Sequence, residues 1–177
     1  HSQQIRPLRY ETERYGEYSK PGESVYDHPF LWGSKRNGPD LAREGGKYPN
    51  LWHVTHFNNP RDIVTGSLMP AYPHFAKTPI PWADIQTRVG VMAMLGVPYG
   101  DAVTNAESMA RKQAQEVATD IEKNGGPVGL QDMEIVAIVA YVQRLGQDIK
   151  LANAPPPVAA RATTTPAVAQ SARRMLP

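Results

Sequence analysis

At 177 residues, 41% of them apolar and 20% charged, the chain is long enough to bury a core without disulfide or metal support. Nineteen basic against seventeen acidic side chains leave a formal charge of +2, without the basic excess of a nucleic-acid binder, and no nucleic-acid partner is expected. The absence of cysteine excludes disulfides, zinc–thiolate sites, cysteine nucleophiles and cysteine-linked cofactors from within these residues, and no apolar run approaches the roughly 18–20 residues needed to cross a bilayer.

Residues 1–80 are rich in turn signals: Lys20-Pro21-Gly22, Asn37-Gly38-Pro39-Asp40, Gly45-Gly46 and Asn58-Asn59-Pro60. Within them Asn50 is placed to cap a helix from Leu51 to Phe57, which Pro60 prevents from continuing. A helix is predicted from Trp82 to Leu95, with Ile85, Val89 and Met92 on one face. Thr104-Asn105-Ala106-Glu107 fits a capping box opening a longer helix. Ala110, Ala114, Val117, Ala118 and Ile121 form its apolar face, and Gly125-Gly126 stops it. A last helix runs from about Asp132 to Leu145 on a stripe that includes Ile135, Val136, Val139 and Val142, with Gly146 at the stop position. No pair of alternating strands is present, so the fold class is all-α. Residues 151–177 contain five prolines, eight alanines and no acidic residue, too little bulky apolar surface to offset chain entropy; a disordered tail is expected there.

Few motifs carry chemistry on their own. There is no phosphate-binding glycine loop, no G-x-S-x-G and no H-E-x-x-H. His53 and His56, three apart on a helix, have the spacing to share a metal, but a half-buried helix with hydrogen-bonded histidines explains them better. The carboxylate pairs Glu11 with Glu13 and Asp120 with Glu122 lie on polar stretches and are expected to be solvated. Met69, in Ser67-Leu68-Met69-Pro70-Ala71-Tyr72-Pro73, is off any helical stripe, in a segment that prolines hold extended. Such a loop can present a thioether to a pocket or pack it into a gap.

A run of ordered segments resembles one family. His1 to Arg9 begins where a haem-attachment motif C-x-x-C-H would end, followed by Glu11-Thr12-Glu13-Arg14-Tyr15-Gly16, Val25-Tyr26-Asp27-His28-Pro29-Phe30 and Trp32-Gly33-Ser34-Lys35-Arg36. Gly38-Pro39-Asp40-Leu41-Ala42-Arg43, Asn59-Pro60-Arg61-Asp62, Asp84-Ile85-Gln86, Leu95-Gly96-Val97-Pro98-Tyr99 and Tyr141-Val142-Gln143-Arg144-Leu145-Gly146 continue it. In combination these resemble the monohaem cytochrome c subunit (subunit II) of cbb3-type cytochrome c oxidases, over about residues 1–150.

The resemblance implies a class I cytochrome c-like domain with inserted helices and long loops. His1 matches the proximal iron ligand and Met69 the distal thioether ligand. Pro39 matches the residue whose carbonyl accepts the histidine's other ring proton, which would orient the imidazole. With both axial positions filled, such a haem c transfers single electrons and leaves no open site for substrate, and the oxygen chemistry belongs to a partner. The implied partners are a membrane-embedded catalytic oxidase subunit and a dihaem cytochrome c subunit, at the periplasmic face of a bacterial inner membrane. The aromatic stretch from Tyr10 to Trp32 is the expected docking segment for the catalytic subunit. The family's two cysteines and anchor helix would precede residue 1, so a chain trimmed at the motif is expected, one that cannot attach haem covalently. The alternative is a haem-free structural or interaction module of a membrane complex.

Overall fold

The computed structural model describes residues 1, 3–28, 38 and 40–147. The predicted tail, at 151–177, lies outside the described residues. Among the described residues the fold is all-α: α1 (Arg9–Tyr15), α2 (Asn50–Asn58), α3 (Trp82–Met94), α4 (Ala102–Lys123) and α5 (Glu134–Arg144). Their only β-type pairing is an isolated bridge between Pro79 and Met133. Three short 3₁₀ turns, Pro21–Ser24, Pro60–Asp62 and Pro73–Ala76, each begin at a proline, whose fixed φ suits the first position and whose missing N–H is not needed there.

The core lies where α2, α4 and α5 meet. Val54 from α2, Ala114, Ala118 and Ile121 from α4, and Ile135, Val136 and Val139 from α5 are all buried. The small residues of α4 let α5 approach closely, and the buried residues of both helices lie on the apolar faces expected from sequence. Polar side chains hold the same three helices in register. The Asn50 amide donates to Asp120 Oδ2 (2.8 Å), and Gln143 Nε2 donates to Asn50 Oδ1 (2.9 Å) and to the Tyr48 carbonyl (2.8 Å). Asn50 is therefore not the cap of α2, as its position suggested. Pro49 occupies the cap position with no side-chain bond, and the Asn50 amide is drawn instead into a bridge across the helices.

Helix α4 starts earlier than the capping box at Thr104 predicts, at Ala102, and is broken at Asn105 (φ −120°, ψ 17°). Thr104 donates to the Asp101 carbonyl (3.1 Å) and does not cap the helix. The break leaves backbone groups without their helical partners, and α3 supplies both: Gln86 Oε1 accepts from the Ala106 N–H (3.1 Å), and Gln86 Nε2 donates to the Val103 carbonyl. Thus α3, which has no fully buried residue of its own, is attached to α4 through a half-buried apolar face containing Ile85, Val89 and Met92 and through this amide. The pair forms a helical layer inserted between the Met69 segment and α5.

Sequence gave no signal for α1. It carries Glu11, fully buried, whose carboxylate accepts from the Arg6 N–H (2.8 Å) and pairs with the Arg6 guanidinium (2.5 Å). The expectation that Glu11 is solvated was wrong, because Arg6 folds back from the preceding turn to neutralise it; Glu13 is exposed beside Arg9, as expected. Asp120 is half-buried through its bond to Asn50, whereas Glu122 is exposed and accepts from the Gly129 N–H (3.0 Å).

Candidate functional site

Each candidate residue is placed by a different piece of chain. The exposed His1 precedes the buried Ile5, whose N–H donates to Ser19 Oγ (2.9 Å) and whose carbonyl accepts from the Ser19 N–H (2.9 Å), so the first residues are held against the turn before Pro21. The His1 imidazole rests on Gly38. A Cβ built on Gly38 would lie 2.5–2.9 Å from three atoms of that ring, so a side chain at this position would displace the ring. The predicted acceptor of the His1 ring proton, Pro39, lies outside the described residues. Its neighbour Asp40 is buried and its Oδ1 accepts from the Ala42 N–H (2.7 Å), which tightens the loop that carries Gly38.

The far end of that loop is clamped to α5. The Gly45 N–H donates to the Leu145 carbonyl (2.9 Å), and Gly146, at φ +74°, lies flat against the Ala42 and Arg43 backbone. The Gly46 N–H donates to Gln143 Oε1 (2.9 Å).

Met69 is half-buried in a loop that leaves and rejoins the end of α2. Asn59 opens the loop, accepting from the Arg61 N–H (3.3 Å) and donating to Asp62 (2.6 Å). The Tyr72 N–H closes it on the Phe57 carbonyl (2.7 Å). Tyr72 then stacks on Phe75, which packs edge-on against Phe57. The Met69 N–H donates to Ser67 Oγ (3.2 Å). With the loop closed three residues after it, the backbone at Met69 is held close to the C-terminal end of α2.

Helix α2 and the residue pair before it carry the site's one surprise. Tyr48, Trp52 and His56 stack as three rings, with centroid separations of 4.0 and 4.6 Å, and His53 meets Trp52 edge-on at 5.2 Å. The rings fix both imidazoles in place, yet His53 Nε2 and His56 Nδ1 are buried without a hydrogen-bond partner. The expectation that these histidines are hydrogen-bonded within the chain fails at those two atoms. Burial pushes both imidazoles below the ordinary histidine pKa, against the opposing pull of the Glu44 carboxylate, so they are neutral near pH 7. Glu44 is itself buried and ion-paired with Lys47 (3.1 Å). A buried polar atom left unmatched costs about 1–3 kcal/mol, and native proteins rarely retain one without a reason. No group of three or more histidine, aspartate or glutamate side chains arranged for a metal ion occurs among the described residues.

A cleft of about 350 Å³ opens on the other side of α2, lined by Val54, Thr55, Asn58, Tyr72, Pro73 and neighbours. None of His1, Met69, His53 or His56 lines it, so it is separate from these candidate residues.

The family described as "Cytochrome C oxidase, mono-heme subunit/FixO" matches residues 1–149. The chain belongs to this family. The family's description is that of a mono-haem subunit of cytochrome c oxidase, broadly an electron-transfer role. Haem c is thereby implied for the parent protein, while the 177 residues hold no cysteine for thioether attachment. No helix among the described residues is long and apolar enough to cross a membrane. The chain is also 30% identical over 129 residues to a curated protein, serine hydroxymethyltransferase 1 of Rhodospirillum rubrum. That match takes in 67% of this chain but only 28% of the relative.

The described residues offer groups of the kind a haem would take. Gly38 lies under the His1 imidazole, Met69 sits in a closed loop, and two buried nitrogens lack a partner among the described residues. His1 and Met69 are candidates through the family pattern alone. Sequence reasoning missed the orphaned nitrogens, because spacing shows which helix face a histidine occupies and not whether a partner meets it.

Proposed function

We propose that this FixO chain transfers single electrons through a haem c whose iron takes its axial ligands from His1 and Met69. The observation that carries the reading is the family match over residues 1–149, which ends within three residues of the last described one. The Gly38 cradle supports the role of His1, and the loop closed by Tyr72 supports that of Met69.

When bound, haem iron cycles between two oxidation states and accepts or gives one electron at a time. The chain's own residues then have three tasks. His1 donates an imidazole nitrogen, with Pro39 as the carbonyl that takes the other ring proton and fixes the tautomer. Met69 supplies a soft thioether, which favours reduced iron and raises the potential. Together these two side chains would hold the iron and leave no position on it for substrate.

The reading extends to the complex. The chain passes electrons toward a membrane-embedded catalytic subunit, receives them beside a dihaem cytochrome c subunit, and works at the periplasmic face of a bacterial inner membrane. Tyr10, Tyr18 and Tyr26 are exposed and offer an aromatic surface for docking, while Phe30 and Trp32 of the same segment lie outside the described residues. The test is the absorption spectrum of the full-length protein purified from its native membrane complex. A six-coordinate, low-spin haem c signature assigned to this subunit is expected; a subunit without haem would refute the reading and favour a structural module.

A further inference from the structure

We propose that His53 and His56 bind the carboxylates of the haem, each donating a hydrogen bond from the ring nitrogen that the chain leaves unmatched. The inference rests on the haem reading above and deepens it, by naming the residues that meet the group's polar edge.

Four observations converge. First, His53 Nε2 and His56 Nδ1 are the buried side-chain polar atoms left without a partner among the described residues, and His53 is only 2% exposed. Second, they stand three residues apart on α2, so they share a helix face. Third, that face is distinct from the one that lines the apolar cleft, which takes Val54, Thr55 and Asn58. Fourth, the two segments that carry the candidate ligands both connect to this helix or to its imidazoles. The Met69 loop closes on Phe57, next to His56. The loop that seats His1 on Gly38 runs on to Glu44, whose carboxylate acts on both imidazoles.

A haem placed between those ligands has its iron coordinated at both axial positions and a porphyrin face that is apolar. Its remaining polar groups are two carboxylates. Two imidazoles, His56 stacked on Trp52 and His53 edge-on to it, each with an unmatched nitrogen, match them in number and in chemistry: neutral donors of N–H to anionic oxygen form charge-assisted bonds. Glu44 does not compete as a second anion of full strength, because Lys47 pairs with it. The three-ring stack of Tyr48, Trp52 and His56 supplies the rigidity, so that the donors are in place before the group arrives.

A donor on a haem carboxylate draws negative charge away from the iron's surroundings. Removing it leaves more negative charge nearby, which favours the oxidised, more positive iron, and the reduction potential falls. The experiment uses the full-length haem-loaded protein and compares His53→Leu, His56→Leu and His53→Gln by potentiometry and by resonance Raman of the carboxylate bending modes. Expected are a lowered potential and shifted carboxylate bands in both leucine variants, with an unchanged low-spin spectrum, and recovery toward wild type in His53→Gln, whose amide still donates. Leucine variants with wild-type potential and wild-type bands would overturn the proposal. Should the leucine variants fail to load haem, nuclear magnetic resonance of the reduced wild type decides. Ring N–H protons of both histidines protected from exchange support the proposal, and rapid exchange overturns it. A wild-type protein with no haem spectrum would bring down the functional reading itself, and that spectrum tells the two failures apart.

Discussion

Replacing Gly146 with alanine should destabilise the protein by about 1–4 kcal/mol. Gly146 adopts φ +74°, where an added Cβ costs about 1–2 kcal/mol. The same Cβ would lie 2.7 Å from the Ala42 carbonyl oxygen and 2.9 Å from the Arg43 Cα, both backbone atoms that cannot swing aside. Overpacking of that kind costs about 1–3 kcal/mol. The gain from a stiffer unfolded chain, about 0.4–1 kcal/mol, offsets part of the sum. Against a typical total stability of about 5–15 kcal/mol the net loss is large. Equilibrium urea unfolding of wild type and Gly146→Ala measures it, with Gly66→Ala as the control, since nothing lies within 4 Å of a Cβ at Gly66. A loss below about 0.5 kcal/mol for Gly146→Ala would show that the loop from Gly38 to Gly46 is not clamped to the end of α5.

Three further outcomes are expected. In the haem-free chain the buried, neutral histidines take up protons in the unfolded state first, near the ordinary pKa of 6.5. Their contribution to stability is therefore complete above that pH and is lost as pH falls below it; the unfolding midpoint followed from pH 7.5 to 5.5 should drop less steeply in His53→Leu than in wild type. Gln86→Leu removes both partners of the break in α4 and should cost about 1–3 kcal/mol, with faster amide exchange at Ala106; unchanged exchange there would contradict the role given to Gln86. Gly38→Ala should displace the His1 ring and weaken the low-spin haem signature of the loaded protein, whereas an unaltered spectrum would separate His1 from the iron.

The helices of the second half were legible because their apolar residues recur at helical spacing. Ala114, Ala118 and Ile121 are buried as that spacing requires, and Gly125 and Gly146 follow the helices with positive φ. The caps were not legible. Asn50 and Thr104 have the residue types that cap helices, but tertiary partners drew Asn50 to Asp120 and left the Asn105 break to Gln86, which sequence distance hides. For a different reason α1 and its buried Glu11 escaped notice: a seven-residue helix has too few turns for periodicity, and the partner that neutralises its carboxylate is a local fold-back of Arg6. The candidate ligands came from a family pattern in the loops, where periodicity says nothing. The orphaned nitrogens of His53 and His56 came from the packing alone.

The central claim is that Met69 binds the haem iron, and Met69→Ala in the full-length, haem-loaded protein tests it most directly. Loss of the thioether opens a coordination position and removes the soft ligand that favours reduced iron. Folding should change little, since Met69 is only half-buried in a loop. The account predicts a lowered reduction potential and binding of carbon monoxide to the reduced haem. A Met69→Ala protein with wild-type potential and no carbon monoxide binding would contradict it.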